Sequence, residues 1–145
     1  MIEHTYSFRA YNSTWWVYVK IFAEYVDCNS VDLNSKTIKI VDGLWMKFAE
    51  KPMKKGELFY DGDLPYLKKG LEIVQKQIIN SSIYENTLII IHSLEIIPCD
   101  FQEEGLIAVM IEWAAKAFNF EPPKINVVFQ KQNNRYVFDF SDSEK

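Results

Sequence analysis

The chain has few of the residues on which the chemistry of small proteins is usually built: two histidines, two cysteines, five glycines and five prolines in 145 residues. Cys28 and Cys99 lie far apart, with neither a CxxC nor the dense spacing of a secreted scaffold, so no redox pair or disulfide framework is expected. No window approaches the ~18 uninterrupted apolar residues of a membrane helix. MIEHTYSFRA lacks the basic and apolar regions of a signal peptide. The expectation is a reduced, cytoplasmic protein that meets no membrane. Glycine-rich phosphate loops, GxSxG, HExxH, kinase signatures and dinucleotide fingerprints are absent, as are repeats and low-complexity stretches. Positive charge is also in deficit. Sixteen Lys and Arg against 20 Asp and Glu give a net charge of −4, which repels a phosphate backbone and favours a basic partner over nucleic acid.

What the chain has in quantity is apolar and aromatic side chains. With 48% apolar and 25% charged residues it reads as one globular domain spanning 1–145. At this length roughly 70% of the unfolded surface can be buried, so no metal or disulfide is needed to hold it. The aromatic share of 15% implies a ring-rich core or rings kept at a protein interface.

The longest apolar pattern with helical period is DFQEEGLIAVMIEWAAKAFNF, 100–120. Leu106, Met110, Trp113 and Ala117 share a line, Ile107, Ala114 and Phe118 flank it, and only Glu112, Lys116 and Asn119 form a polar strip. This predicts a buried core helix, with Glu112 and Lys116 as a solvent-side i,i+4 pair. Asp100 as N-cap and Glu103 at N3 suggest an acidic capping box, Glu104 suits the helix dipole, and Pro122-Pro123 closes the segment.

Around this helix the rest reads as a β-rich shell. Ile2–Ala10 alternates as a strand with one wet face, and after Asn12-Ser13 a second strand, Thr14–Val26, completes a hairpin. Thr37–Val41 resumes strand character and continues past Asp42-Gly43 towards Phe48. Asp63 caps a surface helix with Pro65 in its first turn and Leu67, Leu71, Val74 and Ile78 on its apolar stripe. Thr87–Ile97 is a strand, and 124–130 with 135–140 form a last hairpin across KQNN. The order β-β-β-α-β-α-β-β, with two helices, predicts an α+β domain whose sheet is mostly antiparallel or mixed, with the helices on one face.

Each candidate site has a plainer structural reading. Asp61-Gly62-Asp63 offers two carboxylates to a metal, but turn and cap account for them and no further oxygen ligand follows at a recognisable spacing. Cys99 precedes a helix start that could lower its pKa, yet His92 lies about 23 Å upstream along an extended strand. His92 reads as a partly buried, hydrogen-bonded residue sharing a face with Leu88, Ile90, Leu94 and Ile96. His4 is a strand-face residue with no carboxylate at a telling spacing. Gly105 in the first turns of a helix costs about 1 kcal/mol relative to Ala, so either a strand packs against it or a partner touches it there. No catalytic, cofactor or metal-ligating residue is assigned, and the protein reads as non-enzymatic.

The acidic α+β chain, with TYSFRAYNSTWWVYVKIF at its start, the helix DFQEEGLIAVMIEWAAKAF and the closing hairpin INVVFQKQNNRYVFDF, resembles the immunity proteins of bacterial polymorphic toxin and contact-dependent growth inhibition systems. That resemblance implies a protein without catalytic residues that binds a cognate toxin domain in the cytoplasm and blocks it. Tyr60 and Tyr66 near Asp61 and Asp63, together with Glu103 and Glu104, are the partner-binding residues expected on this reading. Two alternatives stand beside it: a small-ligand-binding domain or enzyme with a pocket between the sheet and the 100–120 helix, and a subunit of a hetero-complex.

Overall fold

The computed structural model describes residues 1–31, 36–49, 61–97 and 101–141. Strict alternation makes β1 (Ile2–Phe8) and β2 (Val17–Asp27) an antiparallel pair, with Phe8 opposite Val17 and Ile2 opposite Ala23. Tyr6, Val17, Val19, Ile21 and Ala23 are buried on the inner face. Glu3, Thr5 and Ser7 are exposed on the other. β5 (Thr87–Ile96) lies antiparallel to β2, β4 (Leu44–Phe48) parallel to β5, and β3 (Ile38–Val41) antiparallel to β4. The sheet order is β1-β2-β5-β4-β3, a mixed sheet.

Three helices follow the sheet strands or join them: α1 (Leu64–Ile73), α2 (Gln75–Ser81) and α3 (Glu104–Phe118). β6 (Asn126–Gln130) and β7 (Arg135–Asp139) form a separate two-stranded sheet. The α+β class and mixed sheet agree with the sequence, but the element order needs two corrections. Residues 37–48 form two strands reversing at Asp42-Gly43, where Gly43 takes φ 91°. The helix after Asp63 breaks at Val74 (φ −108°, ψ 16°), where two adjacent β-branched residues, Ile73 and Val74, weaken helix propensity. The apolar stripe survives the break, since Leu67, Leu71, Val74 and Ile78 are all fully buried.

β5 holds a β-bulge that alternation alone could not reveal. Phe22 pairs with Ser93 and Ala23 with Ile91, so His92 is an extra residue. The bulge shifts the inward set from Ile89 and Ile91 to Leu94, which join the main core, while Leu88 and Ile90 join Cys28 in a smaller cluster on the opposite face. The single face expected for Leu88, Ile90, His92, Leu94 and Ile96 is therefore divided.

α3 is the core helix the sequence predicts: eleven of its 15 residues are buried. A Cβ on Gly105 would lie 2.7 Å from Val17 Cγ1 and 3.1 Å from Val19 Cγ2, so β2 occupies the space a side chain would need. At Gly70 of α1, a Cβ would lie 2.7 Å from Met110 Cβ and 2.8 Å from the Ile107 carbonyl oxygen, which brings α1 onto α3 at backbone distance.

The helix ends differ from expectation. Glu103, not Asp100, holds the N-cap position of α3; it has helical angles (φ −56°, ψ −34°) and makes no side-chain capping bond. Asp100 and Cys99 lie outside the described residues. Asp63 does stand at the N-cap of α1 with Pro in the first turn, but it is helical (φ −81°, ψ −24°) and its carboxylate makes no capping bond. α3 ends at Asn119, whose left-handed φ of 56° turns its N–H and that of Phe120 onto the Ala115 carbonyl before Pro122 is reached.

Candidate functional site

At one end of the molecule the β1–β2 loop, the start of α3 and β7 converge on Tyr136, which is fully buried. Its ring contacts those of Phe8, Trp15 and Phe129 at centroid distances of 5.6, 4.9 and 5.0 Å. Its hydroxyl donates to the Trp15 carbonyl at 2.6 Å and accepts from the Ala10 N–H at 3.2 Å. Its backbone is met by a side chain: Gln102 Nε2 donates to the Tyr136 carbonyl at 2.6 Å, and the Tyr136 N–H donates to Gln102 Oε1 at 3.0 Å. A primary amide carries the same donor and acceptor as a peptide group, so buried Gln102 stands in for a neighbouring strand. Gln102 also donates to Glu104 at 3.1 Å, and both Glu104 oxygens accept from Arg135 Nη2 at 3.1 and 2.9 Å.

The loop across residues 9–16 is held as firmly. Ser13, 3% exposed, donates through Oγ to the Trp15 carbonyl at 2.6 Å and accepts from the Trp15 N–H at 3.2 Å. Its own N–H reaches the Ala10 carbonyl at 3.0 Å, and Arg9 Nε donates to the Ser13 carbonyl at 3.2 Å. Trp15 Nε1 donates to Asn134 Oδ1 at 3.2 Å, tying the loop to the β6–β7 turn. From this fixed backbone Tyr11 projects fully into solvent and Trp16 is 41% exposed. Adjacent tryptophans thus have opposite fates, Trp15 folded onto Tyr136 and Trp16 turned outward. Ile96, across from Val19 at the same end of the sheet, is also exposed, as is Ile97.

The partner-binding residues expected from sequence divide into two groups. Glu103 and Glu104 lie at this end, half-buried beside Gln102, with the charge of Glu104 balanced by Arg135. Asp63 and Tyr66 lie at the start of α1, and Tyr66 is half-buried against the core. Tyr60 lies outside the described residues, and of Asp61 only the backbone turn 61–63 is described. Tyr11 and Trp16 were not singled out by sequence reasoning; a turn signal at Asn12-Ser13 within an aromatic run was their one local sign.

Both histidines are engaged by distant glutamates. His4 Nε2 lies 2.8 Å from Glu112 Oε1, and His92 Nε2 lies 2.9 Å from Glu24 Oε2. The expected Glu112–Lys116 surface pair is therefore replaced by two ties to β1, since Lys116 Nζ donates to the Glu3 carbonyl at 2.9 Å. His4, Glu112 and Lys116 line an open cleft of about 320 Å³ between β1 and α3, with Ala115, Phe120 and Pro122 as its apolar wall. Nearby, the Tyr6 hydroxyl is held well above its ordinary pKa, first by burial, then by the negative charge of Glu112 and by Tyr136. Cys28 is buried, and burial, with Asp27 adding to it, pushes its thiol up, the opposite of what an attacking thiolate needs. Ser93, next to the bulge, buries a hydroxyl without a hydrogen bond among the described residues. Among those residues no group of three or more His, Cys, Asp or Glu could hold a metal ion, and no helix is long and apolar enough to cross a membrane.

No protein-family model matches the chain, and no curated protein matches it at a significant level.

Proposed function

We propose that the protein neutralises a toxin by binding it, as the immunity proteins of bacterial polymorphic toxin systems do, and that Tyr11 and Trp16 are its contact residues. The observation that carries this reading is the loop across residues 9–16: six hydrogen bonds fix its backbone, five with the side chains of Arg9, Ser13 and Tyr136 and one between the Ser13 N–H and the Ala10 carbonyl, and it holds Tyr11 fully exposed and Trp16 41% exposed. Aromatic anchors on a backbone already in place lose little entropy on binding, which is the condition for an energetic hot spot. A net charge of −4 adds attraction for a basic toxin domain. Glu103, half-exposed at the same end, supplies local acid. The partner is blocked by occupation of its surface, with no chemical step on this chain.

Co-expression with the product of the adjacent gene tests the proposal. Rescue from toxicity and co-purification are expected, and the Tyr11→Ala/Trp16→Ala double variant should bind about a hundredfold more weakly with unchanged thermal unfolding. Wild-type affinity in that variant would remove these rings from the interface, and absence of both rescue and co-purification would remove the immunity reading.

One observation favours a second reading, a small-ligand site: the cleft of about 320 Å³ between β1 and α3 has a paired His4 and Glu112 on one side and apolar residues on the other. A metabolite screen by thermal shift, repeated on Ala115→Trp to fill the cleft, separates it from the first. A stabilising ligand lost in that variant supports it.

A further inference from the structure

We infer that the protein pairs with a second copy of itself through β6, two hairpins joining into one four-stranded antiparallel sheet about a two-fold axis at Val128. The inference is independent of the toxin-binding reading. Because Tyr136 gives both its N–H and its carbonyl to Gln102, Tyr136 and Phe129 are a non-hydrogen-bonded pair of the β6–β7 ladder. The N–H and carbonyl of Phe129 therefore point away from β7, and so do those of Val127, two residues along the strand. None of these four groups has a hydrogen bond among the described residues. β7 has its outer edge occupied by a side chain at Tyr136, whereas among the described residues no strand pairs with the outer edge of β6.

Open edges are normally guarded by a charge, a proline, a bulge or a covering element. The β6 sequence Asn126-Val127-Val128-Phe129-Gln130 has no charge and no proline, and its ladder with β7 runs without a bulge. Every residue of β6 is at least partly exposed, Val128 by 65%.

That strand is complementary to itself. Set antiparallel about Val128, Val127 of one copy faces Phe129 of the other and the reverse, so the four open groups on each copy join in four hydrogen bonds. Asn126 faces Gln130, and β6 itself carries no charge, so no like charges meet along the paired strands. On the outward face Val128 stands directly across from its own symmetry mate, and Val137, 40% exposed and paired with Val128, extends the apolar row on both sides. The rows next to it run Arg135, Gln130, Asn126 and Asp139 across the four strands, ending in opposite charges. A second copy thus satisfies both the open backbone groups and the exposed valines without placing its own net charge against itself at the contact.

The test is sedimentation of the full-length chain from low micromolar to submillimolar concentration, with two variants. Wild type should show a concentration-dependent dimer. Val128→Lys, an exposed position where folding is not at stake, should weaken it about tenfold or more by opposing two charges across the axis. Val128→Cys should form an intermolecular disulfide under air, because residues facing each other in a non-hydrogen-bonded pair have Cα atoms about 4.5 Å apart, within disulfide reach. Val137→Cys, one strand removed from the axis, should not, and wild type controls for its native cysteines. A monomer at every concentration overturns the inference. So does a dimer that Val128→Lys leaves intact, or equal cross-linking at 128 and 137. A monomer that instead loses toxin binding in Val128→Lys would give the edge to a partner strand and refute self-pairing.

Discussion

Gly105 shows how a single missing Cβ can set the distance between two elements. Glycine in a helix costs about 1 kcal/mol against alanine, so the sequence calls for either a packed strand or a partner as the reason for it. The structure supplies one: Val17 and Val19 of β2 lie 2.7 and 3.1 Å from where a Cβ would be, and both valines are fully buried. Gly105→Ala should therefore destabilise by about 1–3 kcal/mol despite its better helix propensity, as overpacking does, and Gly105→Leu should not fold. The check is a double-mutant cycle by urea unfolding. Val17→Ala removes the Cγ1 that collides, so Gly105→Ala should cost less in that background, and strictly additive effects would show that the contact does not set the spacing. If Gly105→Ala were as stable as wild type yet bound its partner poorly, the helix start would be a contact surface and not a packing joint.

At the scale of elements, how a segment folds was legible from its own sequence, and what it meets was not. β1, the β1–β2 hairpin, the closing hairpin and α3 all carry periodic patterns long enough to be read without tertiary context. The bulge at His92, the break at Val74 and the reversal at Asp42-Gly43 were not read, because each alters a pattern by one or two residues. The histidine partners are 108 and 68 residues away in sequence, which no local spacing can reveal. Gln102 is the clearest case: a polar residue before a helix reads as solvent-facing, and it is buried because the closing hairpin needs a donor and an acceptor at Tyr136. The joint between that hairpin and α3 should depend on it. Gln102→Leu strands a buried N–H and carbonyl and should cost about 2–4 kcal/mol. Amide exchange locates the damage: β7 amides should exchange sooner than those of α3, and uniform loss across both would mean that Gln102 serves the whole core and not the joint.

For the molecule as a whole, the titrating groups with upward shifts predict where stability fails. Tyr6, Cys28 and Lys20 each hold a proton more tightly when folded than when unfolded. Such a group contributes its stability below the unfolded pKa, and that contribution is lost as pH rises past it, since the unfolded chain releases the proton first. For the thiol of Cys28 the loss begins near pH 8.5, and for Tyr6 near pH 10. Lys20 differs in cause: its shift comes chiefly from its hydrogen bond to Glu3, at 2.8 Å on the exposed face of the sheet, so salt should screen it. Tyr6 is shifted first by burial, which salt does not reach. Asp42 and Asp139 are shifted the other way, by Lys39 and by Ser141, and both are exposed, so the acid side should fall gently as pH drops below the ordinary carboxylate range. The stability profile should therefore be lopsided, steeper in alkali. Tyr6→Phe keeps the ring packed against Phe138 and removes the ionisable group, so chemical denaturation at pH 9 to 12 in high salt should show a flatter decline in the variant. Parallel declines in variant and wild type would mean that Tyr6 is not what limits the fold in alkali.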